Sequence, residues 1–124
     1  MVQIGGNLRS EEFAQFQDYV SSLLITESSL ANLLVQRELR LKRLGDLAKC
    51  YQGAVTTAER GGRVTGHQST GELRQAFEER AVEAGLALGH AATILFRAEL
   101  EDRWLEGCLG DSARNHIDSE TGTS

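Results

Sequence analysis

Apolar residues recur at helical spacing through most of the chain, and short polar or glycine-bearing stretches interrupt them. Phe13, Phe16, Val20 and Leu23 fall on one helix face, and Leu30, Leu33, Leu34, Arg37 and Leu41 share a second register. The same spacing returns at Leu73, Phe77, Ala81 and Ala84, and again at Leu88, Ala91, Ile94, Leu95 and Ala98. Breaks are expected at Leu24-Ile25-Thr26 and at Gly85-Leu86-Ala87, where Gly85 suits a left-handed helix end. Ser10, followed by Glu11 and Glu12, reads as the N-cap of the first helix. Ser69 with Glu72 has the spacing of a capping box. Ahead of each helix pair lies a stretch long enough for one β-strand, VQIGGNLR and RVTGHQST. The segment RLKRLGDLAKCYQGAVTTAER reads as a helical connector, kinked at Gly45 and stopped by Gly61-Gly62. After Gly107 the chain is polar and weakly patterned, as a loose tail is.

The two strand-helix-helix stretches read as copies of each other, the alternative being two unrelated helical hairpins whose apolar periods coincide. Residues 2–44 lie over residues 63–105 without a gap, at a constant offset of 61. Eight of the 43 positions are identical: Gly5/Gly66, Glu11/Glu72, Phe16/Phe77, Ala31/Ala92, Leu34/Leu95, Glu38/Glu99, Leu39/Leu100 and Leu44/Leu105. Composition alone would give about two or three. One strand and two helices cannot hold a fold, because the lone strand has no pairing partner. Two copies can, if their strands pair antiparallel and four helices pack beneath the ribbon. The expected fold is mainly α with a short two-stranded antiparallel β-ribbon. Its first half covers residues 1–50, a connector 51–62, a second half 63–107 and a polar flexible tail 108–124.

Composition narrows the function classes. The chain is 40% apolar and 25% charged, within the range of folded globular proteins, and has no apolar run of membrane-spanning length. MVQIGGNLRSEEF lacks the basic start and apolar core of a secretory signal, so a cytoplasmic protein with reduced Cys50 and Cys108 is expected. The three histidines, His67, His90 and His116, are scattered, and neither a metal-ligand spacing nor a phosphate loop is present. No enzyme chemistry, metal or other cofactor is expected. The net charge of −5 arises entirely after residue 62, since residues 1–62 carry seven basic and seven acidic residues.

The stretches NLRSEEFAQFQDYVSSLLITESSLANLLVQREL and TGELRQAFEERAVEAGLALGHAATILFRAEL resemble halves of the ribbon-helix-helix superfamily of DNA-binding proteins. The shared features are a strand end, an SEE helix start and an EAGL turn. The resemblance covers roughly residues 2–105 and implies one intramolecular pseudo-dimer of tandem ribbon-helix-helix repeats. Such a unit lays its ribbon in the major groove, with the amino ends of the second helices on phosphates. As a single-chain double unit it is similar to accessory proteins of conjugative plasmid and T-DNA transfer. VQRELRLKRL likewise resembles plasmid mobilisation proteins. The resemblance implies sequence-specific binding of double-stranded DNA, in transfer, mobilisation or transcription regulation. Its expected partners are a relaxase or other transfer protein and a second copy of the chain.

With Ile4 and Leu8 inward, Gln3, Gly5, Asn7 and Arg9 point outward, and the constant offset makes Val64, Gly66, Gln68 and Thr70 their equivalents. Gln3, Asn7, Arg9 and Gln68 suit adenine and guanine edges, with Gly5 and Thr70 in the same row. Ser28 and Ser29, and Gly89 and His90 in the second copy, are expected either to meet phosphates at the start of the second helix or simply to cap it. The basic run Arg37, Arg40, Lys42, Arg43 reads as a solvated face and Trp104 as closing the core. The alternative is a non-enzymatic helical adaptor or chaperone with an acidic surface, which would present a continuous acidic or apolar groove.

Overall fold

The computed structural model describes residues 2–51, 60–68 and 70–108. Its elements are β1 (Val2–Arg9), α1 (Ser10–Ser22), α2 (Glu27–Leu41), α3 (Leu44–Cys50), β2 (Arg60–Gln68), α4 (Glu72–Glu83) and α5 (Leu88–Asp102). A last helical turn, α6, covers residues 104–108. The molecule is mainly helical, with β1 and β2 paired in one antiparallel sheet.

Helices pack where the apolar period predicts, with local corrections. Phe16 and Val20 of α1 and Phe77 and Ala81 of α4 are buried, and Phe16 meets Phe96 of α5 with ring centroids 5.4 Å apart. In α2 the buried stripe is Leu30, Ala31, Leu34 and Val35, ending on Glu38, whereas Leu33 and Leu41 face solvent. Arg9, not Ser10, is the N-cap of α1, and its backbone N–H donates to the Glu12 carboxylate at 3.1 Å. Gly71 caps α4, while Ser69 lies outside the described residues. The connector is not one helix. Lys42 turns left-handed at φ 54°, α3 is only seven residues long, residues 52–59 are outside the description, and Gly61 and Gly62 lie inside β2. Gly45 is in α3 with nothing within 4 Å of where a Cβ would sit. Gly45→Ala is therefore expected to stabilise the fold by about 0.5 kcal/mol in urea denaturation, because it removes unfolded-chain entropy at no steric penalty.

Helix landmarks recur 61 residues apart: α2 and α5 coincide at both ends at that spacing. Each ends in a left-handed residue, Lys42 or Arg103, and each is preceded by one, Leu24 or Gly85. Behind each left-handed cap stands a buried carboxylate. Glu38 accepts from the backbone N–H groups of Arg43 (3.1 Å) and Leu44 (2.9 Å), and Glu99 accepts from that of Leu105 (2.9 Å). Each also reaches the opposite half's first helix: Glu38 meets Arg80 at 3.3 Å, and the Tyr19 hydroxyl donates to Glu99 at 2.5 Å. Burial, reinforced by that carboxylate, holds the Tyr19 hydroxyl above the usual tyrosine range.

The strands follow a different spacing. A Cβ on Gly6 would come within 2.6 Å of Thr93 in α5, and one on Gly66 within 2.5 Å of the Asn32 carboxamide oxygen in α2. Thr93 bonds the carbonyl of Asn7, and Asn32 bonds the carbonyl of His67. Thr93 and Asn32 are counterparts in the helices, so Gly6 corresponds to Gly66 and Asn7 to His67, 60 residues on. The gapless alignment therefore fails between strand and helix, where the second stretch has one extra residue. A one-residue slip moves every strand side chain to the other face.

Candidate nucleic-acid interface

β1 pairs β2 with Gln3 opposite His67, Gly5 opposite Thr65 and Asn7 opposite Arg63, before an irregularity between Leu8 and Arg9. Directly paired residues share a face. Ile4, Leu8 and Val64 are buried, which turns Gln3, Asn7, Arg63, Thr65 and His67 to the outside. In β1 the expected outward row is as observed. In β2 it is displaced by one: Val64 and Gly66 are inward, and the Gln68 side chain bonds Asn32 of α2. Thr70 is exposed beyond the strand end. Sequence reasoning missed Arg63, Thr65 and His67 because it carried the helix offset into the strand. The available signal was Val64, the one strong apolar residue of RVTGHQST, whose inward packing reverses the parity.

Gly5 faces outward beneath the Arg63 guanidinium, which lies 2.7 Å from where a Cβ would sit. The glycine seats that arginine flat across the ribbon. Arg9 is exposed at the bulged end, and Glu12, which holds its backbone, pairs with Arg97 at 3.1 Å. The outer row thus carries two arginines, a histidine, two carboxamides and a hydroxyl, and no carboxylate.

Both ribbon edges are closed from below. On the β2 side, Thr65 N–H donates to Glu27 (3.1 Å) and His67 N–H to the Ser28 hydroxyl (2.8 Å). On the β1 side, the Gln3 carbonyl accepts from Arg74 (3.0 Å) and the Asn7 carbonyl from Thr93 (3.1 Å). These bonds blunt the edges against further strand pairing and leave the outer face as the open surface.

The amino ends of α2 and α5 flank the ribbon differently. Thr26 caps α2 by accepting from Ser29 N–H at 3.0 Å, and Glu27 places an acid in the first turn. Ser28 and Ser29 are thus engaged with the ribbon edge and the cap. Ala87 gives α5 no side-chain cap, no acid stands in its first turn, and His90 is exposed there.

No family model matches the chain, and no curated protein or solved structure matches it significantly.

Further charged residues among those described lie away from the ribbon. Arg37 stacks over Trp104 at 4.5 Å, Arg43 meets Asp102 at 3.6 Å, and Arg40 and Lys42 are exposed near the carboxyl end of α2. Trp104 is only partly buried, and burial lowers the proton affinity of the guanidinium above it. Exposed Glu78, Glu79, Glu83 and Val82 line one face of α4. Among the described residues no helix is long and apolar enough to cross a membrane, and no cluster of His, Cys, Asp and Glu could hold a metal ion.

Proposed function

We propose that this protein is a non-enzymatic reader of double-stranded DNA, a tandem ribbon-helix-helix pseudo-dimer that lays the outer face of its ribbon in the major groove. One observation carries the reading. The ribbon buries Ile4, Leu8 and Val64 beneath it and offers outward a carboxylate-free row of Gln3, Asn7, Arg63, Thr65 and His67. A two-stranded ribbon fits the width of the major groove, and these side chains match its donors and acceptors. The recurring helix bounds, left-handed caps and buried glutamates support the pseudo-dimer. Among the described residues no acid stands in the outward row of the ribbon, so the net charge of −5 is not carried by the reading face there. The sequence resemblance adds to this proposal a place in plasmid transfer or transcription regulation, beside a relaxase or other transfer protein.

Fluorescence-anisotropy titration with mixed-sequence duplex at several salt concentrations tests it. Wild type is expected to bind with an affinity that falls as salt rises. On a duplex selected with the wild type, the Gln3→Ala, Asn7→Ala, Arg63→Ala triple variant is expected to bind at least roughly 100-fold more weakly, since each base contact contributes about 1–3 kcal/mol. Absence of binding at low salt, with both proteins folded, would overturn the reading. The acidic α4 face around exposed Val82 favours a second one, an adaptor that docks a basic protein.

A further inference from the structure

The ribbon's two strands stand at equivalent places yet offer different chemistry at each outward position. With the 60-residue correspondence of the strands, Gln3 matches Arg63, Gly5 matches Thr65 and Asn7 matches His67. β1 therefore presents two carboxamides around a glycine, while β2 presents an arginine, a hydroxyl and an imidazole. Carboxamides pair bidentately with the N6 and N7 edge of adenine, and arginine pairs with the O6 and N7 edge of guanine. The threonine methyl suits the thymine methyl group. A symmetric dimer must read two like half-sites, because each strand repeats the other's residues. A single chain is free of that requirement.

Resting on the DNA-reading function proposed above, we infer that this protein recognises a non-palindromic duplex in one orientation. Base pairs that a symmetric dimer would read alike are read as adenine by β1 through Gln3 and Asn7, and as guanine by β2, with Arg63 as the chief specifying residue. The backbone beneath the β2 readers is fixed. His67 donates to Ser28 through its N–H and accepts from Asn32 through its carbonyl, so its ring leaves the ribbon from a held position. Gly5 leaves room for the Arg63 guanidinium to lie over the ribbon, where a side chain on β1 would displace it. The flanks differ in the same sense. Glu27 sets a carboxylate against the β2 edge, whereas its counterpart Leu88 sets none against β1. The phosphate backbone on the β2 side therefore meets a repulsion that the β1 side lacks, but this acts alike in both orientations of the duplex, so the base contacts alone set the direction.

Selection from a duplex pool randomised at its centre, using the full chain and then Arg63→Gln, tests this. Wild type should enrich a motif without dyad symmetry. Arg63→Gln should replace a single guanine by adenine, make the two half-sites more alike in sequence, and weaken binding to the wild-type motif roughly 10- to 100-fold. Circular dichroism should show the variant equally folded, since residue 63 is exposed on the outer face. A palindromic motif, an unchanged guanine in the variant, or salt-sensitive binding without enrichment would each overturn the oriented reading while leaving DNA binding in place. No binding of any duplex would instead overturn the function on which it rests.

Discussion

Glu99→Ala should lose about 3 kcal/mol of stability, because it removes the acceptor on which two buried groups converge. Glu99 is 2% exposed, and a single oxygen, Oε2, takes both the Tyr19 hydroxyl and the Leu105 N–H. Tyr19 in turn accepts from the Glu106 N–H at 3.1 Å, so one carboxylate ties α1 of the first half to α5 and the start of α6. Alanine leaves the hydroxyl and the amide unpaired in the interior and opens a void around them. The urea midpoint should fall with the m-value unchanged, and the melting temperature should drop by roughly 10 °C. Glu99→Gln keeps a carbonyl oxygen for both donors but buries an extra N–H pair, so a smaller loss of about 1–2 kcal/mol is expected. Tyr19→Phe should lose about 1 kcal/mol, the worth of its hydrogen bonds alone. If Glu99→Ala unfolds within 1 kcal/mol of wild type, the carboxylate does not hold the halves together.

The identity of Glu38 and Glu99 was visible in the sequence, but what they do was not. Their task depends on left-handed backbone at Lys42 and Arg103, and neither residue type announces such a conformation as glycine does. The helices were legible because their apolar stripes persist over three turns or more. Leu33 and Leu41 misled because leucine alone does not tell a helix's core face from its flank, and Ala31 and Val35 fill the buried positions instead. The ribbon was legible in β1, where Ile4 and Leu8 set the parity. It failed in β2, where a chance match of Gly5 with Gly66 sustained the wrong offset. Gly61-Gly62 failed for a related reason. Two glycines read as a helix stop, whereas here they let β2 run against Ser10 and Phe13 of α1, which a side chain would strike.

The same close approaches predict an ordered set of alanine effects along the ribbon. Gly6→Ala should be the worst, a loss of about 2–3 kcal/mol, because the new methyl would meet helix backbone: Thr93 N at 2.6 Å and its Cα at 3.0 Å. α5 cannot retreat without parting Thr93 from the Asn7 carbonyl and Phe96 from Phe16. Gly66→Ala should lose less, about 1–2 kcal/mol, because its nearest neighbour is a side chain and not helix backbone, although moving the Asn32 carboxamide weakens its bonds to the His67 carbonyl and the Gln68 side chain. Gly5→Ala should stay within about 0.5 kcal/mol of wild type, since only the movable Arg63 guanidinium stands over it. Denaturation midpoints of the three variants decide the order. If Gly5→Ala proves as damaging as Gly6→Ala, the two faces of β1 have been exchanged, and Gln3 and Asn7 point into the helices instead of to the outside. The order Gly6, Gly66, Gly5 would fix the parity of both strands from stability alone. Any loss of DNA binding in Arg63 variants could then be assigned to the open face of the ribbon.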